Sequence, residues 1–148
     1  MLTVKDIMTK DVVTVLPDME IVEAAKLLLE KGFNGVPVVN RKGKLVGLLC
    51  QSDLVAQQKK FPVPSLFTLL DGVISFTSMK DIKREVKKMT AMTVADAMTP
   101  DPTTVEPDTS IEELGTIMVE KNFHTVPVVD KGELVGIVGK EDVLRTLV

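Results

Sequence analysis

The fold is decided by VPVVNRKGKLVGLLCQSDL at residues 36–54 and by VPVVDKGELVGIVGKEDV at residues 126–143, which are two versions of one sequence. Each version starts with a short apolar run, passes through a polar turn that contains a glycine, and continues into a second apolar run. Aliphatic and β-branched runs around such a turn are typical of a β-hairpin. The sequence therefore predicts hairpins that pair residues 36–39 with 45–49 and residues 126–129 with 134–138.

The similarity extends outward from the hairpins over most of the chain. Residues 4–39 match residues 94–129 at 18 of 36 positions, and residues 42–54 match residues 131–143 at six of 13 once Arg41 is skipped. Self-similarity of this extent is the signature of an internal duplication. We predict three regions: a first repeat at residues 1–60, a connector at residues 61–92 and a second repeat at residues 93–148.

Each repeat is predicted to open with a capped turn and an amphipathic helix. Thr3 precedes Asp6, and Thr93 precedes Asp96, by the three residues that cap the start of a short helix. An extended run closed by a proline follows at residues 12–16 and 103–106. Apolar residues then recur at helical spacing. They are Ile21, Ala24, Ala25, Leu28 and Leu29 in the first repeat, and Ile111, Leu114, Ile117 and Met118 in the second.

The ends of these helices and the start of the next ones are also marked in the sequence. Gly32 and Asn122 align, and both residue types tolerate the left-handed conformation that follows a helix. A last helix is predicted to start near Asp53 and near Asp142. One such unit buries too little apolar surface to be stable alone. We therefore predict an α+β fold in which two β-α-β-β-α repeats pack about a pseudo-two-fold axis.

The composition excludes several classes of protein. The chain has 148 residues, a net charge of −3, one His, one Cys and no Trp or Tyr. A core of aliphatic residues follows, and a Cys/His zinc site would lack ligands within one chain. No run is long and apolar enough for a membrane span, and we see no secretory signal. We expect a cytoplasmic protein that requires no cofactor or metal and for which nucleic acid is an unlikely partner.

The connector is predicted to contain an amphipathic helix. Apolar residues fall on one face of residues 79–89, and basic residues lie elsewhere. The basic residues are Lys80, Lys83, Arg84, Lys87 and Lys88. They are expected to form the solvated side of this helix, with binding to an anionic lipid, a nucleic acid or an acidic partner as the alternative.

The repeated pattern resembles the CBS domain, which is named from cystathionine β-synthase. The pattern is Asp-hydrophobic-Met-Thr, then Val-Pro-Asp, Pro-Val-Val, and Leu-Val-Gly followed by an Asp, at residues 4–54 and 94–146. The resemblance implies a tandem CBS pair, or Bateman module, that binds an adenosyl compound in clefts between its repeats. AMP, ADP, ATP and S-adenosylmethionine are the ligands of the family. It also implies a homodimer that regulates another protein.

Asp53 and Asp142 match the family's ribose-binding Asp. A carboxylate suits this role because it accepts hydrogen bonds from both ribose hydroxyls. The alternative is an Asp that stabilises the start of the last helix with no ligand present. The family's Thr or Ser, three residues earlier, is Cys50 in the first repeat and Gly139 in the second. These departures predict weakened binding.

Further site residues follow from the same resemblance. The position that often carries a phosphate-binding Arg is Gly35 or Thr125, and Lys140 could supply a replacement charge or be a solvated Lys. His124 could contact a phosphate or form a structural hydrogen bond, and Asn34 is its counterpart. Four predicted ligand-binding residues match the strand that borders the adenine: Thr14, Val15, Thr104 and Val105. The remaining ones are Val36, Pro37, Val126 and Pro127, of which the two prolines border the same cleft. The Val residues are equally well explained as core. Because it contains His124 and Lys140, the second repeat is predicted to be slightly better suited to binding a ligand.

Three functions are compatible with these residues. The first is a regulatory module that senses an adenosyl ligand and signals to an unknown partner protein. The second is a ligand-free interaction or dimerisation scaffold with degenerate sites. An enzyme is the third, but His124 and Cys50 occupy non-equivalent positions with no orienting group, so no catalytic residue is assigned.

Overall fold

The computed structural model describes residues 1–60 and 92–148. The first repeat contains α1 (Val4–Ile7), α2 (Ile21–Lys31), β1 (Gly35–Val39), β2 (Leu45–Cys50) and α3 (Gln51–Lys60). The second contains α4 (Val94–Ala97), β3 (Thr99–Pro100), α5 (Ile111–Lys121), β4 (Thr125–Asp130), β5 (Glu133–Gly139) and α6 (Lys140–Arg145). This order confirms the predicted α+β fold. The helix expected at residues 79–89 lies outside the described residues.

Both hairpins are confirmed. Strands β1 and β2 are antiparallel with Gly35 opposite Cys50, and β4 and β5 are antiparallel with Thr125 opposite Gly139. The second turn is the tighter one, because Lys131 and Gly132 both have positive φ, 52° and 83°. The first turn holds one residue more, and the Asn40 side chain accepts hydrogen bonds from two backbone N–H groups within it.

The predicted helix caps are also present. The Asp6 carboxylate accepts the Thr3 N–H at 2.8 Å, and the Asp96 carboxylate accepts the Thr93 N–H at the same distance. At the ends of α2 and α5, Gly32 and Asn122 adopt the left-handed conformation with φ of 68° and 55°. The two repeats thus begin and end their helices by the same local chemistry.

The extended runs at residues 12–16 and 103–106 form less sheet than the β-α-β-β-α pattern suggested. Each makes a single parallel bridge, Val15 with Val38 and Val105 with Val128. Pro17 and Pro107 follow two residues later. Because proline has no N–H to donate, the ladder cannot continue past these positions.

The opening helices are exchanged between the repeats. Val4 of α1 is fully buried among Leu114, Val126 and other residues of the second repeat. Val94 of α4 is fully buried among Leu28 and residues around it in the first repeat. The exchange is anchored by hydrogen bonds from the Val4 N–H to the Thr109 carbonyl and from the Val94 N–H to the Met19 carbonyl, both 2.9 Å. Each hydrophobic core is therefore built from both repeats.

A contact between a methionine and a glycine holds the segment after each opening helix against a strand of the other repeat. Met8 lies against Gly136 of β5, where an added Cβ would come within 2.6 Å of the methionine sulfur. Met98 lies against Gly47 of β2 in the same way. Beyond the methionines, β3 pairs with β2, and Thr9 pairs with Ile137. These reciprocal contacts confirm the predicted packing of one repeat against its copy.

Candidate functional site

Two cavities lie between the repeats. The first has a volume of about 590 Å³ and the second about 290 Å³. Each combines the start of the last helix of one repeat with loops of the other repeat. Polar and charged residues of the first wall include Gln51, Ser52, Asp53, Thr99, Asp101, Thr103, Lys121 and His124. Those of the second include Thr9, Asp11, Lys31, Lys140, Glu141, Asp142 and Arg145.

The two cavities adjoin at the centre of the molecule. Asn34 and Thr125 line both of them. Between them, a Cβ added at Gly35 would lie 3.4 Å from the Cβ of Thr125 and 3.2 Å from the sulfur of Cys50. Glycine at position 35 therefore lets β1 and the start of β4 approach closely, where a larger side chain would displace its neighbours.

Asp53 and Asp142 each hold the first turn of their helix together. Asp53 Oδ2 accepts the Cys50 N–H at 2.8 Å, and Asp142 Oδ2 accepts the Gly139 N–H at 2.7 Å. This is the capping role that the sequence offered as the alternative to ribose binding. Capping uses one of the two carboxylate oxygens, so Oδ1 retains acceptor capacity. The cap and a ligand contact are therefore compatible at both positions.

The surroundings of Asp53 are apolar enough to affect its titration. Burial raises the pKa of the Asp53 carboxyl, and hydrogen bonds from the Cys50 N–H and the Thr99 hydroxyl partly oppose the shift. The pKa of the neighbouring Cys50 thiol rises to about 11, because the thiol is buried and the Asp53 charge is close. Cys50 consequently stays protonated at neutral pH and is a weak hydrogen-bond donor.

Asp142 differs because it has a cationic partner. Its Oδ1 accepts a hydrogen bond from Arg145 Nη1 at 2.7 Å, and Arg145 Nη2 lies 3.6 Å from Glu141 Oε2. The Arg145 side chain is 69% exposed, whereas the Asp142 side chain is only 16% exposed. The residue that corresponds to Arg145 in the first repeat is Ala56. Among the described residues, no ion pair is formed by Asp53.

Ten of the residues predicted from the sequence line the cavities. The first cavity contains Asn34, Cys50, Asp53, His124 and Thr125. The second contains Asn34, Gly35, Pro37, Thr125, Gly139, Lys140 and Asp142. Thr14, Val15, Val36, Thr104, Val105, Val126 and Pro127 line neither cavity. Whether the ten residues bind a ligand stays a prediction.

The residues outside the cavities are mostly core residues. Val36 and Val126 are fully buried, and Val15 and Val105 are 2% and 5% exposed. All four belong to the two hydrophobic clusters. The structure therefore places these four Val residues in the core, which was the alternative to a role in ligand binding. Within the same extended runs, Val13 and Thr103 line the cavities, and they lie two residues before Val15 and Val105.

The structure corrects the expectation that the second repeat is better equipped because it contains both His124 and Lys140. His124 lies in the first cavity together with Asp53, whereas Lys140 lies in the second together with Asp142. The reason is that each cavity takes its last helix from one repeat and its loop from the other. Residues of one repeat are therefore divided between two sites.

Sequence reasoning missed several charged and aromatic lining residues. Lys31 and Lys121 are an equivalent pair in the two cavities, as are Phe33 and Phe123. Their identity in both repeats was visible in the sequence. Arg145 was also missed, although its spacing of three residues from Asp142 places both on one helix face.

Metal-binding clusters and membrane-spanning helices are both absent from the described ranges. No cluster of three or more His, Cys, Asp or Glu side chains with metal-binding geometry occurs in residues 1–60 or 92–148. No helix in the same part of the chain is long and apolar enough to cross a membrane.

An α+β pair of repeats with exchanged opening helices and two inter-repeat cavities defines the class of this protein. The family model of the CBS domain matches residues 4–60 and 94–148. The chain belongs to the CBS domain family. A relative is the chloroplastic CBS domain-containing protein CBSX1 of Arabidopsis thaliana, 34% identical over 97% of this chain. This chain spans 63% of the length of CBSX1.

Solved structures of CBS-pair proteins share the fold. CBSX2 in complex with AMP is 31% identical, with a TM-score of 0.74, over 99% of this chain and 96% of that one. The CBS domain pair of MJ0100, in complex with 5′-methylthioadenosine and S-adenosyl-L-methionine, is 28% identical with a TM-score of 0.72. That match covers 99% of this chain and 95% of the MJ0100 chain.

Proposed function

We propose that this protein is a regulatory module that binds an adenosyl compound in its inter-repeat cavities and signals the occupancy to a partner protein. The ligands considered are AMP, ADP, ATP and S-adenosylmethionine. The observation that carries the proposal is the equivalent placement of Asp53 and Asp142. Each lines a cavity and uses Oδ2 for the helix cap. Oδ1 of Asp53 keeps acceptor capacity for ribose, whereas Oδ1 of Asp142 accepts Arg145 and must share this contact with ribose or exchange it. The adenosyl ligands of CBSX2 and MJ0100 support the same class of ligand.

The lining residues supply the chemistry that such a ligand needs. An ionised carboxylate accepts both ribose hydroxyls, and the partly buried rings of Phe123 and Phe33 offer each cavity an apolar surface for a base. Cys50 and Gly139 provide no hydroxyl, which costs about 0.5 to 1.5 kcal/mol if nothing replaces that hydrogen bond. The proposed affinity is therefore weak to moderate.

Signalling follows from the composite walls. Each cavity is lined by both repeats, and each core contains a helix from the other repeat. A ligand that contacts both repeats shifts their relative arrangement only by its differential affinity for the two arrangements. Ligand binding is therefore expected to alter surfaces that both repeats share.

We further infer that a second copy of this chain covers exposed apolar side chains on α2, α3, α5 and α6. Leu29 and Val119 occupy equivalent positions and are 77% and 82% exposed. Val55 and Leu144 are a second equivalent pair and are 70% and 52% exposed, and Val55 also borders the first cavity. Apolar side chains repeated in this way favour a symmetric interface. Native mass spectrometry should detect a dimer, and a monomer at micromolar concentration would contradict this inference.

Two expectations from the sequence stay predictions. The cytoplasmic location is the first of them. The absence of enzymatic activity likewise remains an expectation. Turnover of a nucleotide by the purified protein, lost in His124→Ala, would contradict it.

Thermal denaturation with and without ligand tests the proposed function. At millimolar concentration, at least one of AMP, ADP, ATP and S-adenosylmethionine should raise the Tm, because a ligand that binds only the folded state stabilises it. The rise should be lost in the double variant Asp53→Ala/Asp142→Ala. The matched control is Asp18→Ala, which removes an exposed Asp paired with Arg41 at 2.9 Å outside both cavities. Absence of any shift in the wild type, or an equal shift in the double variant, would overturn the proposal.

A further inference from the structure

The two cavities differ in the charges near their ribose-binding carboxylates. Both contain two Asp and one Lys at equivalent positions. The second cavity adds Lys140, Glu141 and Arg145, whose counterparts in the first repeat are the uncharged Gln51, Ser52 and Ala56. The second wall thus carries one more positive charge. Of the added groups, Arg145 is in direct contact with the carboxylate.

We propose that Arg145 makes the second cavity selective for adenosyl ligands that carry an anionic group, whereas the first cavity, with Ala56, favours uncharged ones. This inference rests on the proposed function, since it assumes that ribose binds Asp53 and Asp142. It assigns phosphate-bearing nucleotides such as AMP to the second cavity. Neutral adenosyl thioethers such as 5′-methylthioadenosine are assigned to the first.

In the second cavity, both oxygens of Asp142 accept hydrogen bonds from the protein. Oδ2 accepts the Gly139 N–H, and Oδ1 accepts Arg145 at 2.7 Å. A ribose hydroxyl must therefore share Oδ1 with Arg145 or replace it. A neutral ligand offers the displaced guanidinium no new partner, so part of its binding free energy is spent on breaking the ion pair.

An anionic ligand avoids this cost. The guanidinium is a planar donor that matches phosphate in a bidentate manner. Arg145 is 69% exposed and has Glu141 beside it, so its side chain has room to move while it stays at the cavity. A phosphate can thus bind the Arg145 guanidinium when a ribose hydroxyl replaces that guanidinium at Oδ1 of Asp142.

Within the part of the chain that the structure describes, the first cavity has no guanidinium paired with its Asp. Asp53 is capped by the Cys50 N–H as Asp142 is by Gly139, but Ala56 provides no donor at the corresponding position. Asp101 in the first cavity and Asp11 in the second are equivalent, so this second carboxylate does not distinguish the two walls. A phosphate in the first cavity gains no guanidinium, and a neutral ligand there breaks no ion pair at Asp53, so the neutral ligand is favoured.

Reciprocal variants test the proposal by isothermal titration with AMP and with 5′-methylthioadenosine. With the first cavity silenced by Asp53→Ala, Arg145→Ala should weaken AMP binding at least threefold. The same variant should strengthen 5′-methylthioadenosine binding by about 1.5- to 5-fold, the usual strength of an exposed ion pair. Arg145→Lys should retain part of the AMP preference because it keeps the charge. Arg41→Ala is the control, since Arg41 also pairs with an Asp but lies outside both cavities.

A second measurement needs no silencing variant. Cys50 lines only the first cavity of the two, so slower alkylation of its thiol reports occupancy there. In the wild type, 5′-methylthioadenosine should protect Cys50 at lower concentration than AMP. In Ala56→Arg this order should reverse.

The outcomes distinguish the role of Arg145 from the proposed function. If the wild type binds both ligands but Arg145→Ala and Ala56→Arg change their affinity ratio by less than twofold, the role of Arg145 is overturned and the proposed function stands. If the wild type binds neither ligand, the proposed function fails and this inference fails with it.

Discussion

The two cavities are built on the same backbone but differ in side chains. In both, an Asp in the first turn of the last helix accepts the N–H of the residue three positions earlier at 2.7 to 2.8 Å. In both repeats, the core contains a helix from the opposite repeat. Near that Asp the first repeat has Cys50 and Ala56, whereas the second repeat has Gly139 and Arg145 at the corresponding positions. The capping geometry is thus shared by both copies, and the chemistry of the wall is not.

The comparison shows which features duplication retains for physical reasons. Caps, left-handed helix ends and the contacts of Met8 and Met98 with glycine all stabilise each repeat, so changing either copy carries a folding cost. The residue at position 56 or 145 lies on the surface, where substitutions have little effect on stability. Functional differences between the cavities are therefore concentrated at exposed wall positions.

The largest expected effect tests the exchange of the opening helices. Val4→Ala and Val94→Ala should each lower the free energy of unfolding by about 2 kcal/mol, because each removes a fully buried side chain. In hydrogen exchange, Val4→Ala should reduce the protection of β4 and β5, and Val94→Ala that of β1 and β2. The control is Val119→Ala, whose side chain is 82% exposed. Loss of protection confined to the repeat that carries the substitution would contradict the exchange.

The next effect tests the methionine contacts. Gly47→Ala and Gly136→Ala should each destabilise by about 1 to 3 kcal/mol, because the new methyl group meets Met98 or Met8 and a backbone carbonyl 3.1 Å away. Gly115→Ala provides a control of opposite sign. It has open space in α5 and matches Ala25 of the first repeat, so it should stabilise by about 0.5 to 1 kcal/mol. Urea denaturation measures all three, and equal effects at Gly115 and Gly136 would contradict the close approach.

The smallest effect tests the different partners of the two Asp residues. Asp142→Asn should lower stability at neutral pH by about 0.2 to 1 kcal/mol, because it weakens an ion pair with the exposed Arg145. Asp53→Asn should leave stability unchanged or raise it, because burial of the charged Asp53 is unfavourable. Equal losses in the two variants would show that the surroundings of the two carboxylates do not differ in the way described.

The pH dependence of the Asp53 effect has a defined sign. Since the pKa of Asp53 is raised in the folded protein above its ordinary value of 3.8, folded molecules hold the proton more tightly than unfolded ones. The contribution of Asp53 to the stability of the wild type therefore falls as pH rises from below 3.8 through the raised pKa. Relative to the wild type, Asp53→Asn should gain stability over the same interval, which thermal denaturation across a pH series would measure. A constant difference between the two proteins would contradict the shift.

Local features of the fold were predictable from sequence because their causes are local. The Thr3 and Thr93 caps, the left-handed Gly32 and Asn122 and both hairpins follow from residues close together in the chain. The exchange of Val4 and Val94 was not predictable, because both repeats carry the same apolar residue there and either core could accept it. The pattern within one repeat does not specify which copy it packs against.

The site was predictable only in part, for the same reason. Asp53 and Asp142 are marked by their place in the repeat, and the structure puts both in cavities. The grouping of His124 with Asp53 depends on which loop meets which helix, which no single repeat encodes. Arg145 could have been found from its spacing to Asp142. For Val15 and Val105, only the three-dimensional structure shows that the side chains pack in the core and do not line a cavity.

A crystal structure of the protein grown with AMP or 5′-methylthioadenosine would test the central claim most directly. The predicted result is an adenosyl ligand in an inter-repeat cavity, with a ribose hydroxyl within about 3 Å of Oδ1 of Asp53 or Asp142. A ligand bound elsewhere on the protein, or ribose that contacts neither carboxylate, would contradict the account.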